Sequence, residues 1–394
     1  MSPPPRLAAL RLSLFYAALF SVIGTQLPFW PVWLEWRGLS ETEIGVILSS
    51  AFWAKVVTNP AVGHLVDRHG RRRATMIALA AGALACFALF SFADGFFLLL
   101  GLNVIGWGLF AALMPLAETL TLSTVEANPG RRVDYGRIRL WGSLSFIAAA
   151  AWGGWLLEDH SPALVLWMML GGLGLCLLIA PTLPDPPSPR RAGPTPPWRH
   201  LLGDRRFLAF LGAASLAQAG HTVYYAFGTL HWQAAGLGEN LIGVLWAIGV
   251  VAEIALFAFG APVVRRLGPA GLLLAAAGAG VVRWLILAAT TDPLILLPAQ
   301  TLHAASFGCT HLAAMHFIRQ AVPGGLTVRA QSLYSSIAMG LVMGLVMLAS
   351  GHLYQALGGG AFVVSAAIAG AGGMLALWLH LNWKPGQPVA REAG

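Results

Sequence analysis

Four charged residues lie inside long apolar stretches of the sequence, and their types are suited to ion binding and proton transfer. They are Lys55, Glu118, Glu253 and Arg283. An unpaired charge at the centre of a membrane costs about 2.5–3.5 kcal/mol on insertion scales, so such residues usually face a cavity or a charged partner. A carboxylate in that setting can carry a proton, and a cation can bind an anion. The sequence therefore predicts a charged internal site, with a structural salt bridge as the alternative.

Two of these charges occupy the same position of an internal repeat. Residues 38–70 align with residues 236–268 without a gap at a constant offset of 198, and ten of the 33 positions are identical. Lys55 is aligned with Glu253. A half-chain duplication in an apolar protein is typical of a transporter built from two related bundles. We therefore expect one ancestral position to have become a cation on the solute side and a carboxylate on the proton side.

The composition requires that membrane-spanning helices position these residues. Of the 394 residues, 57% are hydrophobic and 10% are charged, and the mean hydropathy is +0.71. The sequence contains twelve apolar runs, most of them long enough to cross a bilayer as helices: 12–34, 44–64, 74–92, 96–122, 137–157, 162–181, 207–231, 241–262, 270–289, 294–318, 328–352 and 360–381. The predicted fold class is an all-α membrane protein with twelve transmembrane helices in two pseudo-symmetric six-helix bundles.

The predicted domains follow the repeat. Residues 1–181 form an N-terminal six-helix bundle, and residues 207–394 form a C-terminal six-helix bundle with a short cytoplasmic tail. Between them, residues 182–206 are rich in proline and basic residues, which is typical of a semi-extended cytoplasmic linker.

Basic residues predict the orientation of the spans. Of the 24 Lys and Arg residues, 21 fall on one side of the predicted spans, Arg37 falls on the other, and Lys55 and Arg283 lie within spans. The positive-inside rule places the basic side, with both termini, in the cytoplasm. The net charge of +8 is then a result of topology, so we expect no nucleic-acid partner. Most of six tryptophans near external span ends are expected to be interfacial anchors: Trp30, Trp33, Trp36, Trp152, Trp155 and Trp232.

A loop motif after the second span resembles a family signature. Gly63-His64-Leu65-Val66-Asp67-Arg68-His69-Gly70-Arg71-Arg72 is similar throughout to the pattern G-x-L-x-D-R-x-G-R-R of the major facilitator superfamily. Gly63 is expected to let helices approach closely, and Gly70 to allow a tight turn. Asp67, with Arg68 and Arg71, is expected to form a cytoplasmic latch that gates movement of the bundles. In the second repeat Arg265 replaces Asp67, so we expect the latch to be asymmetric.

Two motifs in the N-terminal half resemble the phenylpropionate-permease branch of this superfamily and, more distantly, lactose permease. They are Pro115-Leu116-Ala117-Glu118 and, opening the fifth span, Tyr135-Gly136-Arg137-Ile138-Arg139. The resemblance implies that Glu118 and Arg139 bind the solute, although Arg139 near a helix end is also placed to snorkel towards water. Phe146 stands where the sugar carrier has a stacking tryptophan, which keeps an aromatic face but leaves sugar specificity open.

The C-terminal half matches the lactose-permease pattern at Val282-Arg283 and Thr301-Leu302-His303, and Glu253 is the counterpart of its buried glutamate. The resemblance implies that Glu253, Arg283 and His303 couple transport to proton movement, with Glu253 as the leading carrier. Ser306 replaces the carboxylate that carries the proton in that relative, so His303 or Glu118 is a candidate to share the task.

These patterns predict a proton-coupled importer of a small organic solute, working as a monomer by alternating access in a bacterial inner membrane. Lys55, Arg139 and Arg283, set against Glu118 and Glu253, leave a net charge of +1, which favours a monoanion such as an aromatic carboxylate. If Glu253 carries no proton and Arg139 faces solvent, a sugar or nucleoside fits equally well. Drug export is a further alternative, although the fifth span has glycines without the proline of the antiporter signature. We find no catalytic constellation, and we expect no cofactor or metal site. The expected partners are the solute, protons and the lipid bilayer.

Overall fold

Helices make up the structure, a computed structural model that describes residues 4–128, 133–185 and 199–389. No strand occurs within these three ranges. The N-terminal helices are α1 (Pro5–Trp36), α2 (Glu41–His69), α3 (Arg72–Leu89), α4 (Phe96–Ala111), α5 (Leu113–Glu126), α6 (Tyr135–Leu157) and α7 (Ala163–Ile179).

The second half of the chain has more interruptions within its helices. It comprises α8 (Arg199–Leu202), α9 (Arg205–Ala219), α10 (Thr222–Ala234), α11 (Glu239–Phe259), α12 (Ala261–Ala289), α13 (Pro293–His303), α14 (Cys309–Ala321), α15 (Thr327–Leu333), α16 (Met343–Leu357) and α17 (Ala361–Asn382). Two π-helical segments, Ala304–Gly308 and Tyr334–Val342, join α13 to α14 and α15 to α16. Such segments insert an extra residue per turn and are frequent at functional sites.

Eight helical segments among the described residues are long and apolar enough to cross a membrane. One of them, Gly324–Asn382, contains both of the last two predicted spans. The other predicted spans outside the eight are helical as well: the second span is α2, the seventh is split into α9 and α10, and the tenth is split by a π-helical segment. The all-α membrane class is therefore confirmed, and the count of twelve transmembrane helices stays a prediction.

The sequence repeat is also a structural repeat. Gly38 and Gly236 hold the same place in the alignment, and their φ angles are +80° and +84°. Gly70 and Gly268 are likewise aligned, with φ angles of +66° and +63°. Glycine adopts this left-handed backbone without the steric penalty of a Cβ atom. Each copy of the repeat thus begins and ends at a glycine with a positive φ angle.

The chain divides into two units with the same internal packing. One consists of residues 4–185 with Trp232–Ala247, and the other of residues 199–231 with residues 248–389. In the first, α1 packs against α6 and α7, and α3 against α4 and α7. In the second, α9 packs against α17 and the segment Tyr334–Val342, and α12 against α14 and α17. Residues 186–198 of the predicted linker lie outside the described residues, so the division at 182–206 stays a prediction.

Three of the tryptophans expected at the membrane interface are buried instead. Trp30 and Trp232 are 0% exposed, and Trp33 is 1% exposed. Trp30 stacks on Trp33 with 4.6 Å between ring centroids, and both rings meet the edge of Phe90. Aromatic pairs of this kind stabilise a core beyond the area that they bury. The anchor interpretation is wrong for these residues, whereas Trp36, Trp152 and Trp155 are exposed.

The two glycines of the loop motif have different surroundings. A Cβ atom on Gly63 would meet no atom of the described residues within 4 Å, so they make no close helix contact at Gly63. Gly70 ends α2 in the left-handed conformation, and its N–H donates to the carbonyl of Val66 at 2.8 Å. Of the two positions, only position 70 has a backbone conformation that favours glycine, because it is the C-terminal cap of α2.

Alanine substitution at these two glycines should separate the two cases. Gly70→Ala should destabilise the protein by roughly 1–2 kcal/mol, because a Cβ atom is strained at a left-handed residue. Gly63→Ala should be neutral or stabilise by roughly 0.5–1 kcal/mol, since Gly63 lies within a helix with open space around it. Thermal unfolding of the purified variants in detergent measures the difference. Equal shifts in both variants would contradict this assignment.

Candidate functional site

A buried arginine organises the polar cluster of the second unit. Arg283 in α12 is 1% exposed. One terminal nitrogen, Nη1, donates to His303 Nδ1 at 3.0 Å and to Ser306 Oγ at 3.4 Å. The other, Nη2, donates to Gln300 Oε1 at 2.6 Å. These three hydrogen-bond acceptors of the cation are uncharged side chains.

Aromatic rings enclose the same guanidinium. Its Cζ atom lies 4.5 Å from the ring centroid of Tyr224 and 4.6 Å from that of Trp284. The faces of these rings carry partial negative charge and attract a desolvated cation. They therefore offset part of the cost of burying Arg283 without neutralising its charge.

His303 connects Arg283 to Glu253. Arginine has only hydrogen-bond donors, so Nδ1 of His303 must accept from Arg283, and a neutral ring then carries its proton on Nε2. That Nε2 atom lies 3.5 Å from Oε2 of Glu253, whose side chain is 19% exposed. The structure thus brings together the three residues predicted to couple protons, in the order Arg283, His303, Glu253. Glu253 is the more accessible end of the row, because the His303 side chain is 11% exposed.

Backbone geometry places three polar side chains of this cluster on one helix face. Gln300, His303 and Ser306 follow one another at intervals of three residues, and α13 changes to the π-helical segment immediately after His303. Of these three residues, only His303 has a sequence motif that predicts a function. The spacing of three was the available signal for Gln300 and for the partner role of Ser306, because such residues share a helix face.

In the first unit, Arg139 lies against aromatic rings of α1. Its Cζ atom is 4.0 Å from the ring centroid of Phe20 and 5.7 Å from that of Tyr16. Gly142 leaves the necessary room, since a Cβ atom there would lie 2.8 Å from Phe20 Cδ2 and 3.0 Å from Arg139 Nη1. Arg139 therefore points its charge at an aromatic surface that the sequence analysis did not identify. The spacing of four between Tyr16 and Phe20 was the signal for a shared face.

Glu118 in α5 is half-buried and lies within electrostatic range of Arg139. Across the described ranges, no ion pair within 4.0 Å joins these two side chains. A separated pair leaves both groups able to bind a third partner. The structure thus brings together the predicted solute pair without fusing it into a salt bridge.

The other two predicted solute residues have different surroundings. Phe146 in α6 is 6% exposed, and its backbone lies so close to α1 that a Cβ atom on Gly24 would be 2.7 Å from its carbonyl oxygen. Lys55 in α2 places Nζ 4.7 Å from the ring centroid of Phe52. Their roles in solute binding stay predictions.

The gating residues lie at the end of α2. Asp67, Arg68 and Arg71 are exposed, and Gly70 forms the turn. The next residue, Arg72, is 6% exposed and donates to Ser123 Oγ in α5 at 3.2 Å. Arg72 therefore ties the loop to the helix that carries Glu118. The latch role of Asp67 stays a prediction.

Comparisons with known proteins identify the family. The sequence matches the model of the MFS_1-like family over residues 9–364. It is 36% identical over 363 residues to a probable 3-phenylpropionic acid transporter of Escherichia coli strain K12, covering 91% of this chain and 94% of that protein. It is 28% identical to a maltose permease of Geobacillus stearothermophilus, covering 87% of this chain and 86% of that protein.

Solved structures show the same fold at low sequence identity. The nucleoside transporter NupG matches with a TM-score of 0.78 at 16% identity, covering 96% of this chain and 100% of NupG. A bacterial homologue of the human lysosomal transporter Spinster matches with a TM-score of 0.76 at 15% identity, covering 98% of this chain and 100% of the homologue. The chain therefore belongs to the MFS_1-like family of the major facilitator superfamily and is an integral membrane transporter of small-molecule solutes, not an enzyme.

Proposed function

We propose that this protein imports a small aromatic monocarboxylate together with a proton. The observation that carries the proposal is the row Arg283, His303 and Glu253, in which a histidine N–H faces a partly exposed carboxylate. A carboxylate at the accessible end of such a row can exchange a proton with water, while the buried end holds a fixed positive charge. Glu253 is the proton carrier in this proposal, with Arg283 and His303 controlling when it holds the proton.

The substrate class follows from the surroundings of Arg139. A guanidinium binds a carboxylate by two parallel hydrogen bonds, and the ring of Phe20 beside Arg139 adds an aromatic surface to the proposed site. The 36% identical relative is described as a 3-phenylpropionic acid transporter, which supports the same class of solute. Glu118, near Arg139, would disfavour a solute with a second negative charge. We include Lys55 and Phe146 in the proposed solute site as residues that set its charge and shape.

A proton-coupled sugar or nucleoside carrier is the second candidate. The paired Glu118 and Arg139 can accept from and donate to hydroxyl groups as readily as they can bind an acid. The 28% identical relative is a maltose permease, and the fold matches a nucleoside transporter. Charge movement separates the two candidates, because a neutral solute entering with a proton carries charge across the membrane and a monoanion entering with one proton does not.

The remaining features of the proposal concern topology and gating. We place both termini in the cytoplasm of a bacterial inner membrane, from the distribution of basic residues. The protein works as a monomer by alternating access. Asp67, Arg68, Gly70 and Arg71, with Gly63, form the cytoplasmic gate.

The driving force tests the substrate class directly. In proteoliposomes, uptake of radiolabelled 3-phenylpropionate should respond to a pH gradient, about tenfold accumulation for each pH unit. A membrane potential of 100 mV, worth about 2.3 kcal/mol per charge, should add nothing, because the solute and its proton together are neutral. Protein-free liposomes correct for diffusion of the undissociated acid. Uptake driven by potential alone, or uptake of sugars and nucleosides in its place, would contradict the proposal.

A further inference from the structure

His221 occupies a break in the seventh span, within the polar cluster of the second unit. Helix α9 ends at Ala219 and α10 begins at Thr222, so Gly220 and His221 lie between them. The backbone N–H of His221 donates to Gln218 O at 3.0 Å. It does not make the helical bond to Ala217 O, four residues earlier. In hydrocarbon a carbonyl left without a partner is costly, so a break of this kind needs compensation from a side chain.

The imidazole of His221 supplies that compensation. Nδ1 lies 3.0 Å from Ala217 O and 3.3 Å from Gln218 O. Both partners are carbonyls, which only accept, so Nδ1 carries the ring proton. Nε2 of the neutral ring is then a bare acceptor. The helix break thus fixes the tautomer of His221.

Ser306 faces this acceptor from a second irregular segment. Its Oγ lies 3.2 Å from Nε2 of His221 and 3.5 Å from the carbonyl oxygen of His303, so the single hydroxyl proton goes to the nearer acceptor, the histidine. The same oxygen accepts from Nη1 of Arg283 at 3.4 Å. His221 and Ser306 are each 1% exposed, which makes water an ineffective substitute for either bond. A helix break and a π-helical segment therefore meet at one hydrogen bond beside Arg283.

The hydrogen bond between Ser306 and His221 also affects how Arg283 is oriented towards His303. Nη1 has two hydrogens, and it donates to Ser306 Oγ and to His303 Nδ1. When one Nη1 hydrogen is held by Ser306, the other hydrogen points at Nδ1 of His303. His303 must then carry its own proton on Nε2, which faces Glu253. The two histidines thus carry their protons on opposite nitrogens, and their rings are nearly perpendicular, with 5.8 Å between centroids.

We propose that His221 is a positioning residue for proton coupling: through Ser306 it holds Arg283 so that His303 keeps its N–H directed at Glu253. The inference rests on the proposed proton coupling and assigns a role to a residue outside the predicted site. The charged and titratable groups that face His221 are Arg283 from α12, His303 from α13 and the ring of Tyr225 from α10, stacked at 5.6 Å.

Two substitutions at position 221 separate positioning from packing. In His221→Gln the side-chain oxygen reaches the place of Nε2 and can accept from Ser306. In His221→Asn the shorter amide reaches only the place of Nδ1. His231→Asn is the matched control, because His231 lies in α10 of the same predicted span but contacts Tyr354 Oη through Nδ1 at 3.2 Å. Ser306→Ala removes the hydroxyl alone.

The measurement is the pH dependence of gradient-driven 3-phenylpropionate uptake in proteoliposomes, with gradient-free exchange as the measure of solute binding. Ser306→Ala and His221→Asn should each move the pH midpoint by about one unit, as expected for one lost hydrogen bond. The double variant should move it no further, since both changes break the same bond. His221→Gln and His231→Asn should keep the wild-type midpoint, and all variants should retain exchange.

Independent, additive shifts would overturn the inference, and so would a His221→Gln variant that behaves like His221→Asn. If His221→Asn does not fold, Ser306→Ala decides alone, and an unchanged midpoint in that variant overturns the inference. Failure of the proposed function is a separate result, because wild-type protein would then show no dependence of uptake on the pH gradient.

Discussion

Glu253→Gln should abolish proton-driven accumulation while leaving exchange of solute for solute intact. Glutamine has nearly the same shape as glutamic acid but cannot release or take up a proton. With the outside one pH unit more acidic, the wild-type protein should accumulate the solute about tenfold, and the variant should only equilibrate it. Exchange should survive because Glu253 lies beside His303, in a different unit from Arg139 and Glu118. Radiolabelled uptake and counterflow in the same proteoliposomes measure both quantities.

The control for this experiment is Glu126→Gln, which makes the same chemical change at an exposed residue at the end of α5. It should accumulate solute as the wild-type protein does. Retained tenfold accumulation in Glu253→Gln would assign the proton to another group. Loss of exchange together with accumulation would instead place Glu253 in the solute site.

Arg139→Gln should raise the half-saturation concentration for an aromatic carboxylate by about 10- to 150-fold. A hydrogen bond between charged partners stabilises a complex by about 1.5–3 kcal/mol, which corresponds to that range of affinity. Glutamine keeps a donor but loses the charge that matches the carboxylate. The interaction of the guanidinium with Phe20 at 4.0 Å is lost as well. Concentration-dependent exchange measures the change without involving the proton gradient.

Arg137→Gln is the matched control, since Arg137 is exposed one half-turn earlier in the same helix. It removes an equal charge from the same end of α6 and should leave the half-saturation concentration nearly unchanged. Equal effects of the two substitutions would mean that Arg139 acts through the general potential of this helix end. In that case the carboxylate binds elsewhere.

The sequence was informative about the C-terminal cluster because charges are rare in apolar helices. Glu253, Arg283 and His303 were each identified separately, by burial in an apolar span or by a motif, and the structure places them in one row. The uncharged members could not be identified in the same way. Serine and glutamine are common in membrane helices for packing reasons, so Ser306 and Gln300 carry little signal until a charged partner lies beside them.

At the N-terminal site, the sequence predicted the charged residues but not the aromatic rings beside them. Motif resemblance identified Glu118 and Arg139, and the structure brings them within electrostatic range. The aromatic face predicted at Phe146 stays a prediction, and the rings that lie against Arg139 are those of Phe20 and Tyr16 in α1. Twelve apolar spans contain many aromatic residues, and a single sequence does not show which of them point inwards. The rotation of each helix about its axis determines which aromatic residues point inwards, and close contacts such as that at Gly142 determine the rotation.

Backbone irregularities were the features least visible in the sequence. The positive φ angles at Gly70 and Gly268 follow from the repeat and from the properties of glycine. The break at His221 and the π-helical segment Ala304–Gly308 have no comparable residue signature. Both border the Arg283 cluster, and at the first of them the His221 side chain bonds to the Ala217 carbonyl that the helix leaves without its backbone partner.

Proton movement caused by the solute alone tests the central claim most directly. Wild-type proteoliposomes in weak buffer, without any imposed gradient, receive an aromatic monocarboxylate while the external pH is recorded. The account predicts that the external solution becomes more alkaline as one proton enters with each solute molecule. The rise should exceed that in protein-free liposomes, be absent in Glu253→Gln, and be unaffected when the membrane potential is clamped at zero. Entry of the solute through the protein without any change in external pH would contradict the account.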